Sequence, residues 1–419
     1  MKWISTTEKE KWLESDDFSA EKGEELTICE AIGKEIYGFG ACFNEIGMKA
    51  IFSLSAEKQE EIFDELFSND GLGFCYNRIS IGANDFAEDW YTYNDVKGDF
   101  EMENFSIERD KKYIIPAIKE AQKRCPKMKF FASPWSPPTW MKYPQACNYG
   151  KLIQTEQNLK AYALYFKKFV LAYGDEDIKI SHIYPQNEFL CDHKFPSCQY
   201  TAEEMENFIG NYLIDEIGDL CEIWLGTNCW RDNYTKIYNT ILQNKKIRDA
   251  IKGAGFQWSA IDEIALFSED YPDKNSVHTE CECGDGNNTW DHAMHVFELY
   301  RRASKSGVVA NVYWNMALAD GGLSTWGWHQ NSLYTIKDGN YEKTPEFYCV
   351  KHFSHFVKPG AVMLRTEGAH STCSAVFKNI DGSIAAVIMN PYSTKKVLTI
   401  NGNNLILKPK SFNTVVFNK

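Results

Sequence analysis

Between residues 37 and 315 short apolar runs alternate with amphipathic helical stretches, and after about residue 360 the helical stretches stop. That alternation limits the fold more than any other feature of the chain. Eight runs read as strands: 37–43, 73–81, 127–133, 179–185, 222–228, 255–260, 276–282 and 307–315. Helical periodicity fills the spaces between them, as at 55–68, 106–125, 155–174 and 289–307. Ser55 and Thr155 stand where an N-cap hydroxyl would accept from free first-turn amides. Glu57 and Glu156 follow in the first turns, where negative charge suits the helix dipole. Lys58 at the third helical position leaves Ser55 without a reciprocal capping box. Eight strands with intervening helices predict an α/β fold, a (β/α)8 TIM barrel with some long loops. A doubly wound sheet would show the same alternation, but no G-x-G-x-x-G or G-x-x-x-x-G-K-[ST] follows any strand.

The tail has a different texture. STCSAVFK and SIAAVIMN flank the turn residues 379–382, and KKVLTING, NNLILKP and SFNTVVF follow at short intervals. This spacing predicts an all-β side domain of sandwich type over 351–419, behind a catalytic barrel at 37–350. Residues 1–36 have weak strand character and are expected to pair with that tail. Forty-five basic against 58 acidic side chains give a net charge of −13, which lacks the basic footprint of a nucleic-acid partner. No run of about 18 apolar residues occurs, so no membrane span is expected. Thirteen cysteines without a regular spacing and an N-terminus lacking an apolar leader point to reduced thiols in the cytoplasm. Cys191, His193 and Cys198 cluster, as do Cys281 and Cys283, but neither group has the paired knuckle of structural zinc. They read as loop and strand thiols, with no metal.

Chemistry concentrates at predicted strand ends, where a barrel carries its active site. Glu188 lies in YPQNEF at a strand's end, and Glu280 lies within HTECECGDG, three strand–helix units later. Two carboxyls across a barrel mouth are what retaining glycoside hydrolysis needs, although in an acidic chain both could be surface residues. Pro134, Pro137 and Pro138 stiffen the loop that carries Trp135 and Trp140, which suits a sugar-stacking wall or simple core packing. Arg78 lies inside a strand, and a buried arginine requires a carboxylate partner, catalytic or structural. Asp85 follows just beyond that strand. Trp314 ends the eighth strand before a Gly-rich loop, with Trp326 and Trp328 on later loops. Aromatic residues make up 14% of the chain, enough for both a core and a ligand platform.

These pieces together resemble glycoside hydrolase family 30, the glucosylceramidase-like retaining β-glycosidases of clan A. The similar segments are YGFGACFNE (37–45), NRISIGANDF (77–86), ASPWSPPTWMK (132–142), PQNEF (185–189), TECECG (279–284), YWNMAL (313–318) and HFSHFVKPGA (352–361). The resemblance implies Glu188 as general acid/base, Glu280 as nucleophile, Asn187 on the sugar 2-hydroxyl and Arg78 orienting Glu280. It implies Asp85, Trp135 and Trp314 around the terminal sugar. On that reading Glu188 is held protonated by its surroundings and Glu280 charged by Arg78. The family's histidine–tryptophan–tyrosine run near strand six reads Gln257, Trp258, Ser259 here, so either another residue fills the tyrosine's place or the pocket differs. Glu282 is a rival nucleophile, two positions beyond Glu280. The implied activity is exo-acting β-glucoside hydrolysis on a carbohydrate or glycoside partner, without a cofactor. Alternatives are β-1,6-glucanase, β-xylosidase, β-fucosidase, galactanase, or an inactive carbohydrate-binding barrel.

Overall fold

The computed structural model describes residues 1–231 and 234–418. Eight parallel strands close a barrel: β1 (Gly38–Phe43), β2 (Tyr76–Ile81), β3 (Lys129–Pro134), β4 (Ile180–Ile183), β5 (Glu222–Ile223 and Leu225–Asn228), β6 (Gly253–Gln257), β7 (Asn275–Glu280) and β8 (Val308–Asn315). β8 pairs with β1 through Ala310 and Gly38, so the ring has no edge at that seam. β5 is broken at Trp224. Its first part pairs with β4 (Glu222 with His182) and its second with β6 (Leu225 with Ala254). Trp224 itself turns inward and stacks on His182, with ring centroids 4.4 Å apart. With Tyr76, Phe131 and Tyr184 it fills the barrel floor.

The helical readings hold with local differences. Thr155 caps Glu156–Asp175 through its side chain, which accepts from the Asn158 amide. Ser55 has extended backbone before Ala56–Phe67, but its hydroxyl makes no capping bond. The stretch 106–125 is not one helix: a short 3-10 turn at Asp110–Lys112 precedes Ile114–Arg124. The reason is Asp110, which turns into the core and accepts from the hydroxyls of Tyr91, Tyr93 and Tyr173 at 2.8, 2.5 and 2.6 Å. A buried carboxyl needs such donors, and the helix yields to them.

The second unit is a sheet of nine strands. Ser374–Lys378 and Ile384–Asn390 form the expected hairpin. Lys2–Thr6 pairs with Ser411–Phe417, and Glu24–Glu35 lies between Val362–Gly368 and Lys396–Ile400. The sheet folds over one apolar core that includes Trp3, Leu26, Val376, Leu398, Leu405 and Val415. The chain's beginning therefore completes the unit that its end builds. Helix Pro345–Ser354 straddles the expected boundary at 350/351. From it, buried His352 bonds Thr414 and Thr6, each at 2.9 Å, tying barrel to side sheet.

Candidate active site

Arg78 is the anchor of the site. It points inward from β2 and is fully buried. Nη1 donates to Glu280 Oε2 at 2.7 Å, and Nη2 donates to Ser133 Oγ and Asn187 Oδ1, each at 2.8 Å. Trp135 covers one face at 4.5 Å. A buried ion pair is tolerable only with this degree of satisfaction, and removing one partner typically costs about 3–5 kcal/mol.

Asn187 and Glu188 sit just past β4. Asn187 Oδ1 is committed to protein donors: Arg78, Thr227 Oγ1 at 3.1 Å and Gln257 Nε2 at 3.2 Å. Glu188 adopts a left-handed backbone, with φ of 48°, an uncommon state for a non-glycine residue that concentrates at functional sites. Its Oε1 accepts from Gln257 Nε2 at 2.9 Å, and its Oε2 lies 2.7 Å from His193 Nε2. Glu280 ends β7, with Oε1 accepting from Trp258 Nε1 at 3.2 Å and Oε2 held by Arg78. Gln257 Nε2 also reaches Glu280 Oε2 at 3.4 Å. One nitrogen thus touches both carboxyls, so those oxygens are no further apart than 2.9 plus 3.4 Å, or 6.3 Å. Inverting catalysis needs about 6.5–9.5 Å between carboxyls and retention about 5–5.5 Å. For this oxygen pair the bound falls below the inverting range.

The carboxyls face a cavity of about 390 Å³ whose lining includes Asp85, Trp135, Asn187, Glu188 and Glu280. Burial carries Asp85 up to about 7, with the Glu188 charge adding to it against backbone hydrogen bonding and Arg78. Burial likewise pushes Glu280 up, against Arg78, and the neighbouring Glu188 and Asp85 add to that push. Burial alone would lower the His193 imidazole, but hydrogen bonds to Cys191 and Glu188 carry it up to about 10. Desolvation at this cavity favours the protonated forms of Asp85 and Glu280. The expectation that Arg78 alone keeps Glu280 charged is therefore too simple, because desolvation opposes the guanidinium.

The family model for the glycosyl hydrolase family 30 TIM-barrel domain matches residues 36–357. The chain belongs to glycosyl hydrolase family 30. It is 25% identical to the lysosomal acid glucosylceramidase of Mus musculus, over 89% of this chain and 78% of that protein. An endo-1,6-β-D-glucanase of Trichoderma harzianum is 26% identical, over 89% of this chain and 79% of that protein. The solved endo-β1,6-glucanase BT3312 matches with a TM-score of 0.88 and 25% identity, covering 100% of this chain and 99% of that one. This family 30 chain is accordingly a glycoside hydrolase.

Most of the expected residues converge, and the exceptions are informative. Trp314 is packed behind Trp135, with ring centroids 5.4 Å apart, and its indole nitrogen is buried without a hydrogen-bond partner among the described residues. It does not belong to the cavity lining. Trp140 is a core residue, its Nε1 donating to the Asn94 carbonyl at 3.0 Å. Trp326 and Trp328 do line the cavity, 5.0 Å apart at its rim, together with exposed Trp230. Glu282 is turned to His295 at 2.8 Å, which holds its carboxyl below the usual range. Trp258 Nε1 donates to Glu280, while Ser259, at the position of the family's tyrosine, bonds the Cys229 carbonyl instead. Sequence reasoning missed His193 as a partner of Glu188 and the bridging role of Gln257. Signals existed for both: Gln257 ends a barrel strand, and His193 follows Glu188 by five positions.

Proposed function

We propose that the chain hydrolyses terminal β-D-glucosides by double displacement, with Glu280 as nucleophile and Glu188 as acid/base. The observation that supports this most is the single Gln257 nitrogen touching both carboxyls, which brings one oxygen of each to within 6.3 Å of the other, under the inverting range. In the first step Glu280 Oε1 or Oε2 attacks the anomeric carbon as the glycosidic C–O bond breaks. Glu188 passes a proton to the leaving oxygen. In the second, Glu188 takes a proton from water, whose oxygen displaces Glu280 and frees the sugar. Arg78, Trp258 and Gln257 stabilise the Glu280 carboxylate each time it is released. His193, at 2.7 Å, stabilises the Glu188 carboxylate that forms between the steps. Asp85 would accept from glycone hydroxyls, Trp135 would back the sugar ring, and the Asn187 amide would donate to the 2-hydroxyl. Trp314 supports this wall from behind rather than touching sugar.

A second reading, endo-acting β-1,6-glucan hydrolysis, is favoured by one observation: the rim carries Trp230, Trp326 and Trp328, surfaces on which further sugar units could stack. A cytoplasmic setting is part of the proposal, and it is supported by thirteen cysteines that are all free thiols. The deciding experiment is a panel of aryl β-glycosides beside a β-1,6-glucan, with product anomers followed by NMR. Aryl β-glucoside should be cleaved fastest and release β-glucose first. Release of the α anomer would sink double displacement, and turnover of the polymer alone would overturn exo action. Glu188→Ala should be partly rescued by azide, giving a β-glycosyl azide, whereas full activity without azide would remove Glu188 from its role.

A further inference from the structure

The loop after β4 carries a second chemistry that the glycosidase reaction does not use. Glu188, Cys191 and His193 each present one ligand atom, and these atoms all lie within 4.8 Å of one another. Cys229, just beyond β5, brings its sulfur to 3.0 Å from Cys191 Sγ. Cys198, grouped with these residues by sequence proximity, is instead buried in the hydrophobic core. We propose that Glu188, Cys191, His193 and Cys229 form a site for a thiophilic divalent cation of the Zn²⁺ type, and that its occupancy switches hydrolysis off.

Tetrahedral zinc takes sulfur at about 2.3 Å and imidazole or carboxylate at about 2.0–2.2 Å, so its ligand atoms lie roughly 3–4 Å apart. The Glu188, Cys191 and His193 atoms already lie within 4.8 Å of one another, and Cys229, whose sulfur is 3.0 Å from Cys191 Sγ, would turn in as the fourth ligand. Sulfur and imidazole donors favour zinc-like ions over Mg²⁺ or Ca²⁺, which want oxygen. The outer contacts suit a metal thiolate: Trp230 Nε1 donates to Cys191 Sγ at 2.8 Å, the kind of N–H that stabilises sulfur charge. His193 and Cys229 line the active cavity, so an ion can enter by the substrate's route. On binding, the cation replaces the proton shared by His193 and Glu188 and displaces the thiol protons, all of which leave to solvent. Glu188 is then a metal ligand and has no proton to give. Inhibition rests on the acid/base reading of Glu188; cation binding does not.

The test uses the full chain, reduced with a phosphine and dialysed, titrated with Co²⁺ alone and then Zn²⁺ alone. One Co²⁺ should bind per chain with a near-ultraviolet sulfur-to-cobalt charge-transfer band, and Zn²⁺ should abolish that band. Zn²⁺ should lower turnover of the best aryl β-glycoside at least about tenfold, and EDTA should restore it. Cys191→Ser, and separately Cys229→Ser, should weaken the band and require at least about tenfold more Zn²⁺ for half-inhibition, each measured against its own metal-free rate. Cobalt bound without the band, or equal Zn²⁺ sensitivity in wild type and both variants, would overturn the site. A full band with unchanged turnover would overturn the switch alone, and the band is readable even if no glycoside is cleaved.

Discussion

At the scale of single residues, the site is built by donors converging on carboxylates, and each donor has a separable effect. Among the described residues, Trp258 Nε1 is the one donor to Glu280 Oε1. Replacing Trp258 by Phe keeps an aromatic wall and deletes one N–H aimed at a charged oxygen. A lost hydrogen bond to a charged group is worth about 1.5–3 kcal/mol, so kcat should fall roughly 10- to 150-fold with a smaller change in KM. Steady-state kinetics on an aryl β-glucoside checks this; an unchanged kcat would mean that Arg78 alone suffices. Glu280→Gln should remove turnover by at least about a thousandfold, while Glu282→Gln should leave most of it, because Glu282 is spent on His295. Comparable losses in the two variants would reverse their assignment. Glu188, Glu280 and Arg78 were legible in sequence because charge placed at barrel strand ends, or inside a strand, is costly to bury without a partner, whereas Asn187 was named through the family resemblance. Gln257 was not legible, since its importance comes from where its Nε2 points, and a side chain's direction at a strand end depends on neighbours from other strands.

At the scale of elements, the loop after β7 is held from outside the barrel. Helix Pro345–Ser354 starts at Thr344, whose side chain accepts from the Phe347 amide. Glu346 in its first turn takes Asn331 Nδ2 at 2.6 Å, and Asn331 Oδ1 accepts from the Gly286 and Asn288 amides. Gly284 packs on the same asparagine so closely that a Cβ would lie 2.6 Å from Nδ2, and its φ is +62°. Burial raises the Glu346 carboxyl up to about 7. A folded-state value above the unfolded one means that its stabilising contribution is whole below about pH 4.5 and is lost as pH rises through about 7. Glu346→Gln keeps an acceptor and cannot ionise, so its stability relative to wild type should improve between about pH 5 and 8, by up to about 3 kcal/mol. Denaturant midpoints across that range measure it, and a pH-independent difference would count against a buried ionising Glu346. The eight strands and the tail hairpin were readable because period and turn residues are local signals. The break at Trp224 was not, nor was the split at Asp110. Both follow from side chains that satisfy distant partners, a ring stack on His182 and three tyrosine hydroxyls.

At the scale of the whole molecule, the two units are joined by both ends of the chain, which bears on how they unfold. Lys2–Thr6 is a strand of the side sheet, paired along its length with Ser411–Phe417. Thr6 also bonds His352, which sits on a helix packed against the barrel. Trp12 stacks on Phe356 and contacts His352, and Lys351 lies 4.8 Å above its ring. Buried His352 is pushed down to about 3 by desolvation, so its imidazole is neutral near pH 7. Such an interface makes separate unfolding of the two units expensive, since either one alone would expose the other's core side. Deleting residues 1–15 removes two strands of the side sheet, Lys2–Thr6 and Leu13–Glu14, the Trp12 stack and one partner of His352 while leaving every catalytic side chain in place. The expected result is one calorimetric transition, shifted down by several degrees, with aryl-glucosidase activity lost in step with it. Two resolved transitions, the higher one at the wild-type temperature and carrying the activity, would show a barrel that stands without its side sheet. The pairing of the first strand with the last argues for the first outcome, because no barrel helix can replace Lys2–Thr6 against Ser411–Phe417 once it is gone.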